Sequence, residues 1–304
     1  MSEQEYFGFL NIDKPQDWSS HDVVAKIRSL LKYKKVGHAG TLDPFATGVL
    51  PIALGGATRL IRFLEKNKAY IAELDFSFTT DTDDNTGEKF KPGPQSLTKE
   101  ELKAKLDAML GDFEQYPPLY SAKKINGKKL YELMREGAEL DLSDIKPKVV
   151  HIKAIEILDF DFPYAKISVD CMEGTYIRAI ARDVGAHLTS LRRTVSNNFD
   201  LNSSFRFEDL EDGELELEDL ILDAKDFMAL PAYETSRKET IALQQGQKIY
   251  IDDLNKIPAR QLDSKKNNEE VYVQCIDDSE ELVGLATLLE KGSSLELQPK
   301  VIFA

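Results

Sequence analysis

One aspartate, Asp43, stands in the otherwise nearly uncharged stretch VGHAGTLDPFATGVLPIALG. The proline that follows it disfavours the helical region, so the Asp43 backbone is held extended. Gly37, Gly40 and Gly48 allow sharp turns and the close approach of a ligand. These residue types suit a rigidly presented carboxylate that acts as a nucleophile or base. From the residue types alone, the commoner alternative is a turn in which the aspartate bonds its own backbone.

A catalytic carboxylate must be ionised and oriented, and an arginine does both through a forked pair of hydrogen bonds. Arg178 and Arg182 lie four residues apart in GTYIRAIARDVG, which places them on one face of a predicted helix. The spacing leaves either arginine open as the partner of Asp43. The alternative is that both pair with unrelated surface acids.

The spacing of possible metal ligands gives little support to metal chemistry. His21, His38, Asp43 and the acidic run Asp81–Asp84 include no His-x-x-x-His or Cys-x-x-Cys pattern. The glycine-rich ALGGATR lacks the lysine and the spacing of a phosphate-binding loop. We therefore expect no metal site and no cofactor.

Composition indicates a soluble chain of about two domains. The protein has 304 residues, 42% of them hydrophobic, and a formal net charge of −14. It has no apolar run of about 18 residues and no signal-peptide pattern. The two distant cysteines, Cys171 and Cys275, suggest neither a disulfide framework nor a zinc site. We expect a cytoplasmic protein.

The negative charge is concentrated in residues 207–226, which contain ten acidic residues and one lysine. Basic clusters occur elsewhere, at residues 26–35 and 122–129 and at Arg192 and Arg193. A chain with segregated charge can bind nucleic acid on its basic face. For each cluster the alternative is a solvated helix face.

Three predicted elements position the candidate residues. The helix SSHDVVAKIRSLLKYKK, capped by Ser19 and Asp22, precedes the Asp43 loop, and a helix is also expected at ATRLIRFLEKN. A second capping box, Thr98 with Glu101, predicts the start of a helix at LTKEELKAKLDAMLGDF. Tyr70 opens YIAELDFSF, whose alternation predicts a half-buried strand. Arg178 lies on the helix GTYIRAIARDVGAHL. Short strands with close turns after residue 231 predict a small all-β unit.

Seven segments together resemble the TruB family of tRNA pseudouridine synthases, in the family order from Gly8 to Arg193. They are GFLNIDKP, SSHDVV, VGHAGTLDPFATGVLPIALGGATR, KAYIAEL, TDTDDNTGE, PPLYSAKKINGKKLYELMREG and GTYIRAIARDVG. The tail resembles, more weakly, the PUA-type RNA-binding domain of the bacterial enzymes. Only the family's GxTSHD segment departs, reading QDWSSHD at Asp17, Trp18 and Ser19.

The resemblance implies an α+β pseudouridine synthase fold, with a large mixed sheet flanked by helices and a small C-terminal all-β PUA-like domain. Residues 1–230 would form the catalytic domain, with an RNA-gripping insertion at about 117–145, and residues 231–304 the PUA-like domain. The implied reaction is isomerisation of uridine 55 in the T-loop of tRNA. Addition at C6, attack at C1′ and a glycal route all remain open.

The resemblance also assigns roles. Asp43 would be the nucleophile, Tyr70 would stack on the flipped base, and Arg178, rather than Arg182, would pair with Asp43. The implied substrate-binding residues are His38, Tyr176, Leu191, Asp84, Lys123, Lys128 and Lys129, with Asp84 steadying Arg178. The neighbouring Asp83 competes for that last role.

The implied partner is tRNA, with no membrane, no obligatory protein partner and a monomeric state. Two rival functions fit the same resemblance. One is a non-catalytic tRNA-binding or tRNA-folding protein on the same scaffold, against which the joint presence of Asp43, Tyr70 and Arg178 argues. The other is a guide-dependent synthase, against which the short insertion and brief tail argue.

Overall fold

The computed structural model describes residues 5–121, 123–125, 127–137, 145–210, 216–251, 270–291 and 294–303. Parts of three predicted segments lie outside the described residues. These parts are residues 122, 126 and 138–144 of the insertion, 211–215 of the acidic stretch, and 252–269, 292–293 and 304 of the tail. No helix in the described ranges is long and apolar enough to cross a membrane.

The described strands are β1 (Gly8–Lys14), β2 (Val36–His38), β3 (Thr47–Leu54), β4 (Asn67–Asp75), β5 (Phe78–Thr80), β6 (Lys89–Pro92), β7 (Gly111–Gln115), β8 (Lys124–Ile125), β9 (Lys128–Lys129), β10 (Lys148–Asp161), β11 (Tyr164–Met172), β12 (His187–Ser196), β13 (Phe199–Asp200), β14 (Ala232–Glu234), β15 (Ile249–Ile251), β16 (Val271–Ile276), β17 (Leu282–Lys291) and β18 (Ser294–Ile302). The α-helices are α1 (Ser20–Leu31), α2 (Lys99–Asp107), α3 (Leu130–Arg135), α4 (Ile177–Val184) and α5 (Arg237–Gln244).

A nine-stranded mixed sheet forms the larger part of the molecule, in the order β1-β3-β12-β4-β11-β10-β7, with β2 on β3 and β13 on β12. Its neighbours are antiparallel except for β12 and β3, which run parallel. Strand β12 therefore lies between β3, which follows the Asp43 loop, and β4, which carries Tyr70. This central strand brings two distant candidate segments side by side.

The two predicted capping boxes are confirmed. At α1 the Ser19 side chain accepts the Asp22 amide, and Asp22 accepts the Ser19 amide. At α2, Thr98 and Glu101 form the same reciprocal pair. Each box satisfies two amides that a helix N-terminus leaves without partners, so local sequence is enough to place these starts.

The helix predicted at ATRLIRFLEKN is wrong. Two short 3-10 helices, Gly55–Arg59 and Ile61–Phe63, occupy the segment, and β4 begins at Asn67. Ala57, Leu60 and Leu64 are buried in a cluster that includes residues of the C-terminal sheet. Tight turns that bury these three side chains replace the regular helix.

The second sheet has the order β14-β16-β17-β18-β15 and begins at Ala232. Leu285 and Val301 of this sheet share a buried cluster with Phe9 and Leu60 of the larger part. Arg59 donates to the Ile302 carbonyl across the same junction, at 2.7 Å. The predicted fold class, a large mixed sheet with helices and a C-terminal β domain, is confirmed.

Apolar residues in the described part of the acidic stretch pack against the buried face of α1. Phe207 and Leu217 are buried in the cluster that contains the apolar face of α1, while Glu208 and Asp209 are exposed. Trp18, which lies in the segment that departs from the family pattern, stacks on Phe207 with ring centroids 5.4 Å apart. The departure therefore coincides with a contact to the acidic stretch.

Candidate active site

The Asp43 loop joins β2 to β3 and is anchored from two elements. Ser20, at the start of α1, donates to the Leu42 carbonyl and accepts the Leu42 amide, at 3.1 and 2.9 Å. Lys14, at the end of β1, donates to the Pro44 carbonyl at 3.0 Å. Both residues next to Asp43 are thus fixed, and the Asp43 side chain is left 35% exposed.

Arg178, in the first turn of α4, is the residue that pairs with Asp43. Its Nε lies 2.9 Å from Asp43 Oδ2, and its Nη2 donates to Oδ1 at 3.3 Å. The guanidinium also donates to the carbonyls of Thr82 and Tyr120, at 3.0 and 3.1 Å. These contacts from separate segments leave the arginine side chain only 7% exposed and hold it against the carboxylate.

The two neighbouring aspartates divide between the two arginines. Asp84 Oδ2 lies 3.5 Å from Arg178 Nη1, while Asp84 Oδ1 accepts from Thr82 Oγ1 at 2.8 Å. Asp83 Oδ2 lies 3.4 Å from Arg182 Nη1 instead. Arg182 therefore belongs to a separate ion pair, and it is Arg178 that the fold brings to Asp43.

Tyr70 is half-buried on β4 and lies opposite Arg193 of β12. Burial raises the pKa of the Tyr70 phenol, and Arg193 opposes that rise by its charge and by hydrogen bonding. Leu191, two residues before Arg193 on β12, is 5% exposed and belongs to the same buried cluster as Leu42. Tyr70 and Leu191 thus lie close to the base of the Asp43 loop.

The side chain of Gln115 fixes the backbone of Tyr176 at the start of α4 through two hydrogen bonds. Gln115 accepts the Tyr176 amide at 2.8 Å and donates to the Tyr176 carbonyl at 3.1 Å. The half-buried phenol has a raised pKa because of burial, an effect that a hydrogen bond to Ser121 partly opposes. Because Arg178 is two residues further along, these two hydrogen bonds also fix the turn that carries the arginine.

His38 is a half-buried ring on β2. Burial lowers its pKa, and the charge of His21, whose ring meets it edge-on at 5.4 Å, lowers it further. The ring is therefore neutral at physiological pH. A neutral imidazole beside the loop can fill space and donate one hydrogen bond.

The three lysines of the insertion face other groups. Lys123 donates to the Lys146 carbonyl. Lys128 pairs with Glu136 at 2.9 Å, and Lys129 donates to the Tyr131 hydroxyl at 3.1 Å. No contact in the described residues brings any of the three to Asp43. Lys128 and Lys129 belong to a basic hairpin of β8 and β9 outside the site, and Lys123 directly precedes it.

Three cations around the loop are buried, which the sequence did not indicate: Lys14, Lys68 and Arg193. Arg193 was predicted to belong to a basic surface cluster, and its burial corrects that prediction. Burial lowers the pKa of both lysines to about 8, despite nearby acids. Lys14 and Arg193 donate to backbone carbonyls, which leave no mark in a sequence. The one available signal was a lysine at the end of GFLNIDK, a strand whose other residues are mostly apolar.

The arrangement is an aspartate that is open to solvent on one side and paired with a buried guanidinium on the other. Such a carboxylate is held in one orientation and can act as a nucleophile or base toward a group that enters from the open side. The half-buried Tyr70 provides an aromatic face beside it, on which a planar base could stack. The residues are suited to chemistry on an extruded nucleobase.

Comparison with known proteins agrees with this chemistry. Residues 28–177 match the model of the TruB family pseudouridylate synthase N-terminal domain. A protein named tRNA pseudouridine synthase B from Microcystis aeruginosa is 48% identical over 214 residues, which are 67% of this chain and 72% of the relative. Another of that name, from Gloeothece citriformis, is 40% identical over 98% of this chain and 97% of the relative.

Solved structures of similar fold cover nearly the whole chain. A Cbf5-Nop10-Gar1 complex contains a chain with a TM-score of 0.73 and 24% identity, and the match covers 98% of this chain and 85% of that one. An H/ACA RNP bound to a substrate RNA contains one with a TM-score of 0.71, 24% identity and the same coverage. At this identity the likeness establishes the fold alone.

Proposed function

The chain belongs to the TruB family of pseudouridylate synthases, and we propose that it isomerises a uridine of tRNA, uridine 55 of the T-loop, to pseudouridine. The relatives' shared name supports tRNA as the substrate. In the reaction, the N1–C1′ bond of the uridine breaks and a C5–C1′ bond forms. The C5 proton is lost and N1 gains a proton, so the atoms balance without an oxidant or reductant.

The observation that carries this proposal is the pairing of Asp43 with Arg178. Asp43 acts as the nucleophile, at C6 of the base or at C1′ of the ribose, or promotes a glycal route. Arg178 holds the carboxylate in one orientation, because its guanidinium is fixed by the Thr82 and Tyr120 carbonyls. Asp84 helps to fix the same guanidinium through an ion pair with its Nη1.

The target base must leave the T-loop stack to reach a carboxylate in this position. Tyr70 receives it by stacking, and Leu191 supplies the apolar floor. His38 and Tyr176 line the entrance, where a neutral imidazole and a phenol can contact the nucleotide without adding charge. These assignments are supported by the positions of the four side chains around the Asp43 loop.

RNA binding outside the reaction centre is assigned to two regions. The basic hairpin with Lys128 and Lys129, together with Lys123, contacts phosphates and positions the tRNA without reading its sequence. Residues 231–304 form a PUA-like RNA-binding domain, distinct from a catalytic domain of residues 1–230. Amides of the second sheet that become protected from hydrogen exchange when tRNA is added would support this assignment, and unchanged exchange there would refute it.

The proposed activity is tested with an unmodified tRNA transcript and the purified protein. Chemical mapping should find one pseudouridine, at position 55. A transcript with cytidine at that position is the control and should acquire none. A pseudouridine at another position would correct the target, and a wild-type protein that binds the transcript without modifying it would support the tRNA-folding alternative.

A further inference from the structure

One buried arginine, Arg193, ties both ends of the Asp43 loop to a single group. Its Nη2 and Nη1 donate to the carbonyls of Gly40 and Thr41, which precede Asp43, at 3.2 and 3.1 Å. Its Nε donates to the carbonyl of Val49, on the strand that follows the loop, at 2.7 Å. One rigid planar group thus sets the separation of the two loop ends.

The same guanidinium reaches the other side of the site. Arg193 lies opposite Tyr70 in the register of β12 and β4, and opposite Gly48 in the register of β12 and β3. As the cross-strand neighbour of Tyr70, it opposes by its charge and by hydrogen bonding the rise that burial causes in the Tyr70 pKa. A Cβ on Gly48 would collide with the Arg193 backbone, so the strands approach closely here. Arg193 therefore contacts the nucleophile loop and the stacking residue at once.

The contribution of Arg193 to the free energy of folding does not explain the burial of its charge, because burying a charge is unfavourable. It is 1% exposed, and within the described ranges no carboxylate lies in ion-pair contact with it. Its charge also disfavours the charged forms of the buried Lys14 and Lys68. A buried cation without a carboxylate partner gives folding little net gain, whereas an apolar side chain of similar volume often costs nothing.

We propose that Arg193 is a positioning residue for the isomerisation, which fixes the Asp43 loop and the Tyr70 hydroxyl relative to each other. The inference rests on the proposed function for its catalytic consequence, but the geometric part stands without it. A lysine at this position has one donor centre and cannot hold the three carbonyls in the fixed geometry of a guanidinium. Binding of tRNA should not depend on it, because the side chain is buried.

The first experiment compares Arg193→Lys and Arg193→Gln with the control Arg192→Lys. Arg192 is the adjacent residue of β12, but its side chain pairs with Asp13 at 2.7 Å. Single-turnover rates at saturating tRNA should fall at least ~10²-fold in both Arg193 variants, the scale of a lost preorganised contact. We expect a change within about threefold for Arg192→Lys, because a lysine keeps the positive charge opposite Asp13, which also retains its second partner, Arg206. The Kd for tRNA should stay within about threefold in all three, since none removes a phosphate contact.

A double-mutant cycle separates positioning from a general structural role. The quantity measured is the factor by which Tyr70→Phe lowers the single-turnover rate, once in the wild type and once in Arg193→Lys. The factor should be at least about threefold larger in the wild type, because the effects of groups that act together are not additive. Additive effects would show that Arg193 does not act through Tyr70 and would overturn the proposal.

Hydrogen exchange tests the geometry without any RNA. The amides of residues 41–48 should exchange faster in Arg193→Lys than in the wild type, while the amides of β17 in the other sheet should be unchanged. The hydrogen-exchange measurement tests whether Arg193 fixes the loop even if the wild type does not modify tRNA. A wild type that does not modify tRNA would refute only the proposed function. Unchanged exchange in the loop, or loss of folding in both Arg193 variants, would show that Arg193 supports the sheet and does not position the site.

Discussion

Arg178 and Asp43, 135 residues apart in sequence, form an ion pair in which the cation is buried and the anion is half open. Nε and Oδ2 lie 2.9 Å apart, and the two side chains are 7% and 35% exposed. The arginine is immobilised by carbonyls from two other segments, so in the described part of the chain it is the carboxylate that offers an open side to a substrate.

Arg178→Lys should not be conservative. A lysine keeps the charge but loses the fork that reaches Asp43 and the carbonyls of Thr82 and Tyr120 together. We expect the single-turnover rate to fall at least ~10²-fold. Affinity for tRNA and its dependence on salt should be unchanged, because no phosphate contact is lost.

Arg182→Lys is the matched control, one helical turn away and paired with Asp83. It should be much milder in the same rate measurement. Equal effects of the two substitutions, or a loss of tRNA binding with normal chemistry in Arg178→Lys, would make Arg178 a phosphate-contact residue.

Tyr70 can be divided into a ring and a hydroxyl. Tyr70→Phe keeps the stacking face and should leave tRNA affinity within about threefold, but it loses the group held by Arg193 and should slow the chemical step at least about tenfold. Tyr70→Ala removes the stacking face as well, a contact worth ~1–3 kcal/mol per base. If Tyr70→Ala binds tRNA as tightly and reacts as fast as Tyr70→Phe, Tyr70 does not stack on the base.

The basic hairpin should contribute affinity and not rate. Lys128→Ala and Lys129→Ala should each weaken tRNA binding and reduce the slope of log affinity against log salt by about 0.7 to 0.9, the value for one phosphate contact. Lys103→Ala is the control, since Lys103 is also exposed and paired with an acid, Asp107, but on α2. A salt slope that is unchanged in the hairpin variants would show that these lysines make no phosphate contact.

Asp83 should make stability depend on pH. Burial raises its pKa from 3.8 to about 7, although Arg182 and Arg178 oppose the rise. The folded state holds the proton more tightly, so the stability that this proton contributes is full below pH 3.8 and is lost as the pH rises to about 7. Asp83→Asn is neutral throughout and tolerates the positive φ of 64° at this position.

The difference in Tm between Asp83→Asn and the wild type should therefore be more favourable to the variant at pH 8 than at pH 5. Asp278→Asn, on an exposed turn, serves as the control and should show no such trend. A variant that loses Tm more at pH 8 than at pH 5 would mean that the ionised Asp83–Arg182 pair stabilises the fold.

Local signals predicted the elements that depend on local interactions. The caps at Ser19 and Thr98 are examples, because donor and acceptor lie three residues apart. The helix predicted at ATRLIRFLEKN failed because the burial of Ala57, Leu60 and Leu64 against a distant sheet decides that segment. Tertiary packing there outweighs propensity.

The choice between Arg178 and Arg182 shows the same limit at the site. Spacing treats the two alike, and only the family resemblance favoured Arg178. In the fold, the difference is made by the carbonyls of Thr82 and Tyr120. The buried position of Arg193 could not be predicted from the sequence, because its fixed partners include backbone carbonyls, which any residue supplies.

The central claim, that Asp43 is the nucleophile of a tRNA pseudouridine synthase, is tested most directly by Asp43→Asn. The substitution keeps the shape of the side chain and removes its charge. Single-turnover incubation with an unmodified tRNA transcript should yield no pseudouridine, while the Kd stays within about tenfold and the Tm remains close to that of the wild type. Turnover near the wild-type rate in a folded Asp43→Asn protein would contradict the account.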